Sequence, residues 1–351
     1  MVRILVRRFR DRLDGLSARL FAGSRLLARG FYALVSPRFA REQAAVLRGR
    51  SLFGGASSGD SDPQLRRNIH RLEKGLLMRP RAPTFAVDYI EETVAAFERA
   101  CRSARHEPAE WAWAHDVLTE YFQVVSPTSA ISAAEHRFRA AAALTHARPR
   151  STALKPRIPK PRSQTTLADI RYEQFLTLCR QRQSVRWFEQ RPVPRELIEN
   201  AVCAAAEAPS ACNRQPFVFR VFHTPDDAAR IASIAMGTGG YAHQIPALIV
   251  VVGDFSSFAF ERDRHLPYID GALASMQLML ALETLGLSSC PINWPDIETL
   301  ERRMDRALEL PVHMRPIMLI GIGYADPSGG VAHSEKKPVS LLLRTSNNYD
   351  R

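Results

Sequence analysis

Apolar residues recur along this chain with two different patterns, and the change falls near residue 166. In the first part the spacing is helical. Val2, Leu5, Phe9, Leu13, Leu16 and Leu20 return at three- and four-residue steps and would line one face of an amphipathic helix. Leu65, Ile69 and Leu72 form a shorter stripe in LRRNIHRLEKGLLMRPR, which Pro80 stops. His70, Glu73 and Lys74 in that segment read as a solvated helical turn. Residues 88–102 and 110–124 predict two further helices, with Trp111 and Trp113 near the start of the second. Nothing in 1–145 has a strand pattern, so this part reads as a helical extension. Two stretches interrupt it. GGASSGDSDPQ (54–64) is a flexible break. HARPRSTALKPRIPKPRSQ (146–164) is cationic and proline-rich, cannot bury enough surface to fold alone, and reads as a semi-extended linker spanning 146–165.

From residue 166 onward, helices and strands interleave. Phe175 and Leu178 mark a helix that leads into RQSVRWF. PVPRELIENAVCAAAEA opens on proline and runs through alanine, a strong helix by propensity. FVFRVFH, IPALIVVVGDF and RPIMLIGIGYAD have strand composition, and the last two read as buried. GALASMQLMLALETLGLSSC is apolar around its whole circumference and capped near Gly286, which predicts a helix at the centre of the fold. The alternation predicts an α+β domain over 166–351 whose sheet is covered by helices on both faces.

Composition adds a core and a charge. Hydrophobic residues make up 46% of the 351, enough for a sizeable interior. The net charge of +12 is concentrated in the first fifty residues and in 148–162, and it suits an anionic partner. For the N-terminal helix several readings stay open. It can make a peripheral contact with the inner membrane face through residues 1–35, dock on its own protein with arginines solvated, or act as a transit peptide. The basic linker has no interleaved aromatics to stack bases, so nucleic acid is not the expected partner. No apolar run reaches the ~20 residues of a spanning helix. Cys101, Cys179, Cys203, Cys212 and Cys290 form no CxxC pair and read as reduced thiols of a cytoplasmic protein. His243, His265, His313 and His333 lack metal spacing, so no metal is expected. GxGxxG after a strand, GxxxxGK[ST], GxSxG and HExxH are all absent, which leaves a nucleophile-based hydrolase with little support.

Four segments carry candidate chemistry. RQSVR puts Arg182, Ser184 and Arg186 on one side of an extended stretch, two guanidiniums and a hydroxyl suited to a phosphate. APSACNRQPF holds Ser210, Asn213 and Gln215 on a loop pinned by Pro209 and Pro216. Their donors and acceptors suit a heterocycle with carbonyl and NH groups, although the same residues also form ordinary turns. SCPINWP cannot continue the preceding helix, so a backbone N–H there can face a ligand. SEKKPVSLL adds Lys336 and Lys337, a second cationic cluster.

Taken in order, these segments resemble the nitroreductase family of FMN-dependent oxidoreductases over residues 166–343. The matching marks are RxSxR, the helix opening on PVPxxxIE, APSxxNxQP, GALAxxxxxLxAxxLGL, PI, the strand ending near Gly323, and a basic pair before proline. The resemblance implies a three-layer α/β/α sandwich around a mostly antiparallel sheet and an intertwined homodimer with FMN at the interface. It implies ping-pong hydride transfer from NAD(P)H through FMN to a small-molecule electron acceptor. It also implies site roles. Arg182, Ser184 and Arg186 would hold the ribityl-phosphate and pyrimidine side. Pro209, Ser210 and Asn213 would reach the partner subunit's flavin. Pro291, Ile292 and Asn293 would lie along the isoalloxazine, and Lys336 and Lys337 would complete the phosphate site. Cys212 departs from the pattern, as does Trp294, whose ring could cover the face where substrates stack. No catalytic acid or base is expected from the protein. NIHRLEKGL resembles extensions on nitroreductase-like proteins of bacterial surface-polysaccharide loci, which implies a biosynthetic acceptor. The alternative is a non-catalytic flavin-binding or membrane-peripheral scaffold that keeps the fold.

Overall fold

The computed structural model describes residues 20–54, 60–143 and 156–343. The expected N-terminal helix therefore lies almost wholly outside the described residues, as do much of the flexible break and the first part of the linker.

The sheet has four strands, β1 (Phe217–Phe222), β2 (Ala247–Asp254), β3 (Ser288–Asn293) and β4 (Met314–Gly323). Their spatial order is β1-β2-β4-β3, and every neighbouring pair is antiparallel. β2 is buried along almost its whole length because both faces are covered, which is why its sequence is a continuous apolar run. Its side chains alternate between two cores. Ile249 and Val251 join Ile320 and Ile322 on one face, where they meet α8 (Arg195–Ala206) and α10 (Leu266–Thr284). Leu248, Val250 and Val252 face the other way, against α9 (Pro225–Ala232) and α11 (Glu298–Leu308). A further helix, α7 (Tyr172–Gln181), packs on α10. The domain is thus a three-layer α/β/α sandwich around an antiparallel sheet, as expected.

One expectation needs correction, and one is extended. The long apolar helix α10 is not central. Ala274, Ser275, Leu278 and Leu282 pack inward, while Ile269, Leu273 and Met276 form an exposed stripe on the opposite side. Apolar character all round here means one face on the sheet and one face left exposed among the described residues. SCPINWP is also not merely an irregular stop, since β3 covers most of it and pairs with β4 from Ser288↔Gly323 to Asn293↔Met318. Proline is tolerated at 291 because β3 is an edge strand.

The extension comprises α1 (Arg25–Leu34), α2 (Ala40–Leu52), α3 (Pro63–Leu76), α4 (Ile90–Arg102), α5 (Pro108–Val124) and α6 (Ser129–Ala143). The last four share a core of their own. Leu65, Ile69 and Leu72 of the predicted stripe meet Ile90, Phe97, Leu118, Tyr121 and Phe138 there. α3 starts where it does because Asp62 Oδ1 accepts from the N–H groups of Gln64 and Leu65 and Pro63 presets the first turn. α2 returns to the C-terminal half. Its Gly49 lies against Phe255 so closely that a Cβ would sit 2.5 Å from the Phe255 backbone. Arg41 reaches both Glu298 and Asp305 of α11.

Candidate flavin site

Two groups of residues carry the candidate chemistry, and the topology holds them apart. The first is the loop between α8 and β1. Pro209 is exposed, while Ser210, Cys212 and Asn213 are half-buried. Cys212, Asn213 and Gln215 all adopt the left-handed region, with φ of 53°, 52° and 49°. For residues with a Cβ this conformation costs about 1–2 kcal/mol each, so other contacts must hold the loop. Several do. The Ala211 N–H donates to Asp270 Oδ2 at 3.0 Å, and the Gln215 N–H donates to Ser210 Oγ at 3.1 Å. Asp270 is buried, which pushes its carboxyl above the usual range, although the Ala211 N–H and Arg214 oppose this. Arg214 is buried, donates to the Ala211 and Ser257 carbonyls, and lies over the Phe258 ring at 4.4 Å. From the extension, Arg66 Nε donates to the Asn213 carbonyl at 2.7 Å.

The second group lies at the opposite edge of the sheet. Ser184 bridges to Ser289 outside β3, and Phe188 bridges to Ala325. The RQSVRWF stretch is therefore pinned at Ser184 and at Phe188. Its Arg182 Nε is buried without a hydrogen-bond partner among the described residues, and so is Ser289 Oγ. Glu283 Oε1, whose carboxyl burial pushes up, is a third such atom. Arg186 is exposed and lies 5.8 Å from the centre of the Tyr241 ring. Tyr241 and Cys290 face each other with OH to Sγ at 3.9 Å, and burial raises the pKa of both groups. In β3, Pro291 is half-buried, Ile292 belongs to the core and Asn293 is exposed.

Not every expected residue joins these groups. Lys336 and Lys337 are exposed in an irregular segment and form no ion pair among the described residues. Trp294 does not offer its ring to a substrate face. It is buried in the core beside α11, and its indole N–H donates to Glu301 Oε1 at 2.6 Å. A buried carboxylate needing a donor outweighs any stacking role for that ring. Ser289, Arg214, Asp270 and Arg66 had not been singled out. Ser289 and Arg214 lie inside quoted motifs, whereas nothing local marks Arg66.

Residues 179–324 match the nitroreductase family. Iodotyrosine deiodinase from Danio rerio is 36% identical over 222 residues, covering 54% of this chain and 73% of that protein. The chain belongs to the nitroreductase family. Iodotyrosine deiodinase 1 from Homo sapiens is 26% identical over 206 residues, covering 50% of this chain and 69% of the relative. Among solved structures, an FMN-dependent nitroreductase from Clostridium difficile R20291 aligns with a TM-score of 0.40 at 21% identity, over 45% of this chain and 92% of that one. As a family of FMN-dependent oxidoreductases, the nitroreductases set a test for the second group. An anionic cofactor needs buried cationic and hydroxyl donors that the protein does not use itself. Arg182 Nε and Ser289 Oγ meet that need, so these residues fit the group. Among the described residues no cluster could hold a metal ion, and no helix is long and apolar enough to cross a membrane.

Proposed function

We propose that this nitroreductase-family chain is an FMN-dependent oxidoreductase that takes electrons from NAD(P)H and passes them to a small-molecule acceptor. The observation that carries the reading is that Arg182 Nε and Ser289 Oγ are both buried without a hydrogen-bond partner among the described residues, on segments that the Ser184–Ser289 bridge ties together, with Glu283 as the carboxylate near Arg182. Bound FMN would supply the two-electron chemistry. The chain would supply binding and electrostatics. Arg182, Ser184 and Arg186 hold the phosphate and ribityl side, with Lys336 and Lys337 folding over as further cations. Guanidiniums near the ring favour negative charge on a reduced cofactor. Pro291, Ile292 and Asn293 form an edge along the ring. In this reading no side chain has to move a proton.

The same reading makes the protein a homodimer. The loop carrying Pro209, Ser210 and Asn213 runs into β1, while the Arg182 group sits outside β3. Those edges are three strand spacings apart, about 14 Å. The loop therefore serves the flavin held by a partner subunit. The exposed stripe Ile269, Leu273 and Met276 on α10, with Tyr172 and Phe175 on α7, supplies apolar surface for that partner. The proposal extends to the membrane. α1 is wholly exposed or half-buried, with Leu26 at 77% and Leu34 at 88% exposure, and the sequence has no acidic residue between Asp14 and Glu42. Arginine with unpartnered leucine on one short helix suits the inner face of an anionic bilayer.

The test is the visible spectrum of the purified protein before and after NADH or NADPH without oxygen. A flavin spectrum that bleaches on addition and returns with an acceptor supports the reading. A chain that cannot be loaded with FMN, or whose flavin stays oxidised, defeats it and favours a scaffold that retains the fold.

A further inference from the structure

The loop expected to reach flavin is held from outside the matched region, by one side chain of the helical extension. Arg66 lies on α3, 147 residues before the carbonyl it grips. Its Nε donates to the Asn213 carbonyl at 2.7 Å, and its Nη2 lies 3.4 Å from Gln215 Oε1. The third arm turns the other way, with Nη1 donating to Glu110 Oε2 at 2.8 Å. Both bonds to the loop fall on left-handed residues.

Glu110 makes this grip rigid. Its side chain is 2% exposed and sits at the centre of a network on the extension side. Oε2 also accepts from Ser61 Oγ, Oε1 accepts from the Asp62 N–H at 2.9 Å, and His106 Nε2 is 3.3 Å from Oε1. Asp62 is tied in turn to Arg99 at 3.0 Å, and the Arg66 guanidinium lies 5.5 Å from the centre of the Trp113 ring. A guanidinium is a planar fork, so fixing one arm on a buried carboxylate fixes the direction of the others. The orientation of Arg66 is set by the extension, and the position of the Asn213 carbonyl is set by Arg66.

We infer that Arg66 is a positioning residue for flavin, and that the extension is a working part of the site because it holds the strained 210–215 loop in the shape that meets the cofactor. This rests on the flavin reading of that loop. Within the chain, Arg214 and Asp270 hold the loop near Ala211, and Ser210 and Gln215 close it on itself. At Asn213 the described residues supply Arg66 as the side-chain donor to the carbonyl. Without it, that peptide keeps only the bond from the Arg214 N–H to the Ala211 carbonyl at 3.3 Å, and the Asn213 carbonyl loses its side-chain donor.

The experiment compares wild type with Arg66→Lys. Lysine keeps a cation beside Glu110, so the buried carboxylate stays paired, but a single ammonium cannot also hold the Asn213 carbonyl and Gln215. FMN affinity of the apoprotein is measured by quenching of flavin fluorescence. Amide hydrogen exchange of residues 213–215 and the melting temperature are measured on the same samples. The expected result is FMN binding weakened at least about tenfold, equal to 1.4 kcal/mol, with faster exchange confined to the loop and melting within a few degrees of wild type. Unchanged affinity together with unchanged loop exchange overturns the inference. So does a general loss of protection with a large fall in melting temperature, because that is a merely structural role. If wild type itself takes no FMN, the flavin reading fails separately, and the exchange rates alone decide whether Arg66 holds the loop. Should Arg66→Lys not fold, Arg66→Gln, which is neutral and keeps a donor, is judged by the same three readouts.

Discussion

Replacing Glu110 with glutamine tests the network that anchors the extension. Burial alone would push this carboxyl up, but His106, Arg66 and Ser61 outweigh it and hold the pKa down at about 2, against an ordinary 4.5. A difference of about 2.5 units corresponds to about 3 kcal/mol favouring the folded state. The folded pKa is depressed, so this contribution is complete above pH 4.5 and is lost as pH falls toward 2. At pH 3 less than half of it remains. Glutamine keeps the shape but not the charge, so Glu110→Gln should cost about 3 kcal/mol at pH 7 and about half that or less at pH 3. The assay is urea unfolding of both proteins at the two pH values, followed by tryptophan fluorescence, to which Trp111 and Trp113 of the same module contribute. A variant as stable as wild type at pH 7 refutes the reasoning, and so does a gap that widens on acidification.

Three further outcomes are expected. Arg182→Ala combined with Lys337→Ala should strip FMN while the extension stays folded, and a double variant that purifies fully yellow would show the phosphate site to be elsewhere. Trp294→Phe should lower stability by about 1–3 kcal/mol by removing the donor to buried Glu301, without changing which acceptors are reduced. An altered acceptor profile with unchanged thermal melting would contradict its core placement. The chain should sediment with vesicles containing phosphatidylglycerol and not with phosphatidylcholine alone, and Leu26→Glu with Leu34→Glu should abolish this. Equal sedimentation of the variant would place the contact outside α1.

Much of the fold was readable because its signals are local. β2 and most of β4 announce themselves as apolar runs, α8 by its proline start and alanine body, and α3 by Leu65, Ile69 and Leu72 on one face. Motif order also gave the family. Pairing and orientation were not readable. β3 is a strand because β4 offers it an edge, and proline within a short motif hides that. Trp294 points inward because Glu301, seven residues on, needs a donor once both are buried. α10 is apolar on all sides, so its sequence could not separate the face on the sheet from the exposed face.

By itself, the sequence determined most of the helical and extended segments, β3 excepted, and which chemical groups they carry, since periodicity and propensity act over one or two turns of chain. Tertiary structure alone decided that the two groups of candidate residues lie at opposite edges of the sheet, and that a guanidinium from the extension bonds a carbonyl in the loop. Those are contacts between residues distant in sequence. They are fixed by burial and by the need of each buried polar group for a partner, and no local pattern encodes them.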